Sequence, residues 1–123
     1  DAVVMAADRP EAFETFPEPS NTTYSLQCMA GLRPRIGEAP AMPIMADQTP
    51  LFAGRVRAAG PLNSPNHGHE GQNVLRMDGT VTWSSGPEAG IGGDNIWLIQ
   101  GREQGNYQGV EVPASSTDAF LVH

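Results

Sequence analysis

The residues with the clearest chemical potential are His67-Gly-His69-Glu70. Two histidines at i and i+2 can both reach one ion from a loop, and Glu70 offers a third ligand. His67, His69 and Glu70 are therefore the candidate metal ligands of this chain. The plainer alternative is a polar glycine-rich loop whose His67 hydrogen-bonds backbone groups. An oxygen-ligand calcium site from Asp47, Asp78, Asp94 and Asn95 needs the fold to gather them, since no EF-hand spacing exists. Each has a simpler role as loop, turn or element-end residue.

Other chemistries find less support. None of the serines at 20, 25, 64, 84, 85, 115 and 116 lies in a Gly-x-Ser-x-Gly elbow. Fourteen acids are present, and no spacing selects two for paired-carboxylate hydrolysis. Gly90-Ile-Gly92-Gly93 lacks the lysine of a phosphate loop. The single cysteine, Cys28, lies in the apolar stretch Tyr24–Ala30 and reads as a small buried thiol. An unpaired cysteine can also bridge two chains. These features predict a non-enzymatic protein without a cofactor.

The elements that must position these residues read as mostly β. Thr22–Ala30 and Met42–Ala46 carry strand signals, with Pro43 at an edge or a strand start. Gln72–Met77 and Thr80–Trp83 flank Asp78-Gly79, a preferred type I′ pair because both turn residues need positive φ. Alternation puts Val74, Arg76, Thr80 and Thr82 on one face. It puts Leu75, Met77, Val81 and Trp83 on the other, and that apolar face is expected to point to the core. Asp94–Gln100 reads as a strand buried on both sides or a short helix, and Ile96, Trp97 and Ile99 favour the strand. Val110–Val112 and Ala119–Val122 read as further short strands. Asp8–Phe13 looks like a helix start, with Asp8 as N-cap and Pro10 in the first turn. Leu51–Gly71 is the least regular region. A loop of that length in a compact domain calls for a lid or a contact elsewhere.

Composition bounds the rest. The 123 residues suit one domain. Fourteen glycines and eleven prolines interrupt helices and favour short strands joined by long loops. The expected fold is mostly β (α+β). It is a small antiparallel sheet with the Asp78-Gly79 hairpin, long irregular Gly/Pro-rich loops and at most one short N-terminal helix. Residues 1–20 are expected to be loosely structured. The net charge of −7, with seven arginines and no lysine, argues against nucleic acid and anionic membrane surfaces. No run of 18 apolar residues spans a bilayer and no signal peptide is visible. Starting at Asp1, the sequence reads as a processed or truncated product.

The segment from Ser64 to Val81 resembles a motif of prepilin-like (type II secretion pseudopilin-like) proteins of planctomycete-type bacteria. That signature is approximately His-x-Gly-x-x-Asn-Val-Leu-Phe-x-Asp-Gly-His-Val. His67, Asn73, Val74, Leu75, Asp78, Gly79 and Val81 match it. Met45–Pro50, Gly93–Ile96 and Thr117–Val122 are similar to flanking elements, so the likeness covers residues 20–123. Arg76 replaces the family's Phe and Thr80 its second His. The family's N-terminal hydrophobic helix, its anchor and polymerising element, is missing from this sequence. The resemblance implies one pilin-like globular domain over residues 1–123, outside the cytoplasm at the periplasm or cell surface. It also implies a structural or accessory subunit that docks on itself or on a larger, membrane-associated assembly. The competing expectation is a metal- or small-ligand-binding module built on His67-Gly-His69-Glu70.

Overall fold

The structure is a computed structural model that describes residues 23–31, 39–51, 60–102, 107–108 and 111–122. The helix start expected at Asp8–Phe13 lies outside the described residues. So do the N-terminal segment 1–20 as a whole, most of the loop 31–40 and the stretch 52–59.

Five strands form one antiparallel sheet: β1 Tyr24–Gln27, β2 Pro43–Asp47, β3 Gln72–Arg76, β4 Val81–Ser84 and β5 Leu121–Val122. Their spatial order is β4-β3-β2-β1-β5. Ser25 faces Ala46, Ala46 faces Val74, and Val74 faces Thr82. Pro43 opens β2 in the middle of the sheet rather than at its edge. A proline is tolerated there because its missing N–H falls at the strand's first residue. The ladder resumes next to it, where the Met77 N–H donates to the Met42 carbonyl at 2.9 Å. The register shifts between Pro43 and Met45.

The hairpin turns through three residues. The Arg76 N–H donates to the Thr80 carbonyl, and the Gly79 N–H donates to the Arg76 carbonyl, both at 2.9 Å. Gly79 has φ +89°, whereas Asp78 is not among the left-handed residues. This is a type I turn closed by a left-handed glycine, not the expected type I′ pair. The Asp78 carboxylate stabilises it locally by accepting the Thr80 N–H at 2.9 Å and the Thr80 hydroxyl at 2.7 Å.

One face of the sheet is covered. Ser25, Gln27, Ala46, Gln72 and Val74 are buried on it. Met42, Ala89, Ile96, Trp97, Ala119 and Leu121 pack over them as the core. This reverses the expected polarity of the hairpin. Val74 is fully buried, while Val81 is 64% and Trp83 51% exposed. The chain after β4 folds back over the Val74 side, and that choice decides which face is core. Arg76 follows from the same arrangement. Its guanidinium closes the end of the covered face by donating to the carbonyls of Ala41 and Ala89, at 2.8 and 2.9 Å.

Asp94–Gln100 is not a strand. A 3-10 turn over Ile91–Gly93 leads into further turns. The Asn95 side chain accepts the Trp97 N–H at 2.9 Å, an Asx turn that competes with extended backbone. Ile96 and Trp97 are consecutive and both fully buried, as a strand covered on both sides would also have them, but they lie in turns that join the core cluster from outside the sheet. Glu111 and Val112 also lie outside any strand, and Val110 is outside the described residues.

Two valines of the same hairpin test this polarity. Val74→Ala is expected to destabilise the fold by about 2 kcal/mol or more, because it opens a cavity in the core. Val81→Ala is expected to stay within about 0.5 kcal/mol. Denaturant titration measures both. Equal costs would restore the inverted arrangement.

Candidate functional site

The His67 loop is a 3-10 turn over Asn66–His69 with unusual backbone. His67, Gly68 and His69 all have left-handed φ, at +54°, +64° and +64°. Two non-glycine residues in that region carry a steric cost of roughly 1–2 kcal/mol each. Neighbours hold them in place. The Asn63 side chain donates to the His69 carbonyl at 3.1 Å, and the Asn66 side chain donates to the Thr23 carbonyl at 3.0 Å. Gly71 then passes so close to Ser84 and the Trp83 ring that a Cβ would collide with both.

This geometry does not bring His67, His69 and Glu70 together. His67 Nε2 instead lies 3.0 Å from Asp47 Oδ2. The same oxygen accepts the Asn73 N–H at 2.8 Å. The His67 ring stands edge-on to Trp83, with centroids 5.4 Å apart. His69 Nδ1 is buried without a hydrogen-bond partner. Glu70 is exposed. Among the described residues no group of three or more His, Cys, Asp or Glu side chains is placed to hold a metal ion. The four oxygen donors are likewise dispersed. Asp47 lies on the sheet, Asp78 in the hairpin turn, and Asp94 and Asn95 in the covering segment. Cys28 is half-buried, and its thiol donates to the Glu111 carbonyl at 3.4 Å.

The His67–Asp47 pair sits on the uncovered face of the sheet. One cross-strand row on that face reads Val81, Leu75, Met45, Leu26 and Val122. Tyr24 at 44% and Leu26 at 48% exposure extend the apolar surface beyond Val81 and Trp83. Tyr24, Met45, Leu75 and Val81, with Asp47 and Asn73, line a depression of about 250 Å3. A second, of about 380 Å3, lies among Leu26, Gln27, Met29, Ile44 and Met77. The face is thus mainly apolar, with Asp47, Asn73 and the oriented His67 imidazole grouped at one side of it. The sequence does not reveal this face, because alternation groups Leu75, Val81 and Trp83 without saying whether the core or solvent receives them.

A second polar cluster fastens the covering segment. Asp94 Oδ2 accepts the Ala119 N–H at 2.7 Å. Asp118, fully buried, accepts the Gln100 and Ala114 N–H groups at 3.1 and 2.6 Å. Burial pushes the Asp94 carboxyl up to about 6, reinforced by the neighbouring Asp118 charge and opposed by the bond from Ala119. Burial also raises Asp118, against its two N–H donors.

These groups set an expected pH response. Asp94 ionises less readily in the folded chain than in the unfolded one. Its contribution to stability is therefore complete below about pH 4 and is lost as pH rises through about 6. The melting temperature is expected to fall by a few degrees between those values. Asp94→Asn, which keeps an acceptor for Ala119, is expected to flatten that fall. Thermal melts across the range check it, and an unchanged profile would contradict the assignment. For the histidine loop, chelator is expected to leave the melting temperature unchanged. A drop on chelation that His67→Ala abolishes would instead establish a metal there.

No helix among the described residues is long and apolar enough to cross a membrane. In comparison with known proteins, no family model matches the sequence, no curated protein matches it, and no solved structure matches the fold.

Proposed function

We propose that this chain is a non-enzymatic structural or accessory subunit, pseudopilin-like, that works outside the cytoplasm and contributes protein–protein contacts to a larger assembly. The observation that carries this reading is the uncovered face of the sheet. Five apolar residues in register across all five strands are more than the scattered exposed hydrophobics of a solitary domain. The motif likeness around Asp78-Gly79 supplies the family-level expectation. In this reading the hairpin is scaffolding, the Gly/Pro-rich connections cover one face of the sheet, and residues 1–123 act as one pilin-like domain.

A small-ligand module is the second reading. It draws on the His67–Asp47 pair beside the 250 Å3 depression. Glu70 and His69 do not join that pair.

The test is cellular. A tagged protein expressed in its native host is expected outside the cytoplasm, in a fraction of high mass. Leu26→Lys or Met45→Lys is expected to release it, because each places a charge in the middle of the apolar row. A cytoplasmic location, or a free monomer in every fraction, would overturn the proposal.

A further inference from the structure

Among the described residues the order β4-β3-β2-β1-β5 leaves two sheet edges. β5 has two residues, so its edge offers little to pair with. β4 has four, Val-Thr-Trp-Ser, and all but Ser84 are exposed. The direction of its backbone groups follows from the ladder. Arg76 donates to the Thr80 carbonyl, which makes Arg76 and Thr80 a hydrogen-bonded pair. Pair types alternate along an antiparallel ladder. Thr82 opposite Val74 and Ser84 opposite Gln72 therefore also bond inward, whereas Val81 and Trp83 turn their N–H and C=O groups away from β3. The partner strand shows the same phase, because the Asn73 N–H points away from β4 to Asp47. Val81 and Trp83 thus present two donors and two acceptors to solvent.

Edges of this kind are commonly blunted by charge, proline or a bulge. β4 has none of these. From Thr80 to Ser85 no residue is charged, in a chain whose net charge is −7. Two acidic copies can therefore approach along this edge without like charges meeting at the seam.

We propose that β4 is a self-pairing edge that joins two copies of this chain, antiparallel, into one continuous ten-stranded sheet. One register fits the free groups. Val81 of each copy lies opposite Trp83 of the other, and Thr82 meets Thr82 at the two-fold axis. Both Val81–Trp83 pairs exchange two backbone hydrogen bonds, four in all. The central Thr82 pair is of the non-hydrogen-bonded type, as its inward-facing groups require. Opposed residues share a face, so each valine packs against an indole on the uncovered side, a favourable cross-strand combination. The contact is isologous and closes as a dimer. His67, edge-on to Trp83, holds the indole from its own side. Of the apolar row the seam takes only its end residue, Val81, and leaves Leu75, Met45, Leu26 and Val122 outside it, so the two contacts are separable by variants.

Light scattering after size exclusion, from micromolar to millimolar protein, tests the pairing. A shift from one to two chain masses is expected. Over the same range, amide exchange at Val81 and Trp83 is expected to slow by roughly tenfold or more, while Thr82 changes little. Val81→Pro removes an outward N–H and no internal ladder bond, so it is expected to fold and remain monomeric. Val81→Lys is expected to do the same by bringing a charge to each end of the seam. Leu26→Lys, across the sheet, is expected to leave the dimer intact. A chain monomeric throughout overturns the proposal. So does a dimer that survives both Val81 variants, or one lost with Leu26→Lys alone, which would mean that faces rather than edges meet.

Discussion

The fold depends on satisfying the backbone polar groups of its irregular segments, and two buried glutamines on the covered face of the sheet do much of this. Gln72, fully buried at the start of β3, accepts the Ser64 N–H at 3.0 Å. Its amide donates to the carbonyls of Ser84 and Gly86 at 3.2 and 2.7 Å. It therefore ties the loop before β3 to the exit of β4. Gln27, at the end of β1, accepts the Phe120 N–H at 2.9 Å and donates to the Asp118 carbonyl at 3.2 Å. A chain rich in glycine and proline has many backbone groups outside regular ladders. Buried without partners, each costs about 1–3 kcal/mol. Fixed amides at the sheet ends remove that cost and pin the covering segment above Val74.

Once the covering segment is pinned, the rest of the asymmetry follows. Ile96 and Trp97 join Ala46 and Val74 in one core cluster, and the Leu121 N–H closes onto the Ile96 carbonyl at 2.9 Å. Asp94 and Asp118 hold the same segment by accepting backbone N–H groups. That arrangement leaves two carboxylates in poorly hydrated positions and makes the covering segment sensitive to pH. Among the described residues the opposite face carries the His67 turn at its rim, and its apolar row stays partly exposed. One side of the sheet thus builds the core, and the other side and its β4 edge stay largely exposed among the described residues.

The strands were legible in the sequence because period-two alternation and turn residues are local signals. β1, β3 and β5 fall within the segments read as extended, and β2 and β4 each run one residue past theirs, to Asp47 and Ser84. Asp94–Gln100 was not legible as a turn. An unbroken apolar run has no period to separate a buried strand from an irregular covering segment, and the decisive Asx bond from Asn95 looks like any other asparagine. The histidine loop was visible as chemistry but not as geometry. Nothing in His67-Gly-His69-Glu70 announces that three successive residues take left-handed backbone, or that His67 turns to an aspartate 20 residues away.

The sequence by itself determined where the β3–β4 hairpin turns, which residues share a face of each strand, and how uncharged β4 is. Those properties are set by nearest neighbours, through φ preferences and side-chain parity. Only the tertiary structure decided which of the two faces is core. Parity groups Leu75 with Val81 and Val74 with Thr82, but it does not say which group the later chain will cover. That depended on Gln27 and Gln72 reaching backbone groups of distant segments, and no local signal encodes such partners. The partner of His67 was decided in the same way, by β2 and the 3-10 turn meeting across the sheet.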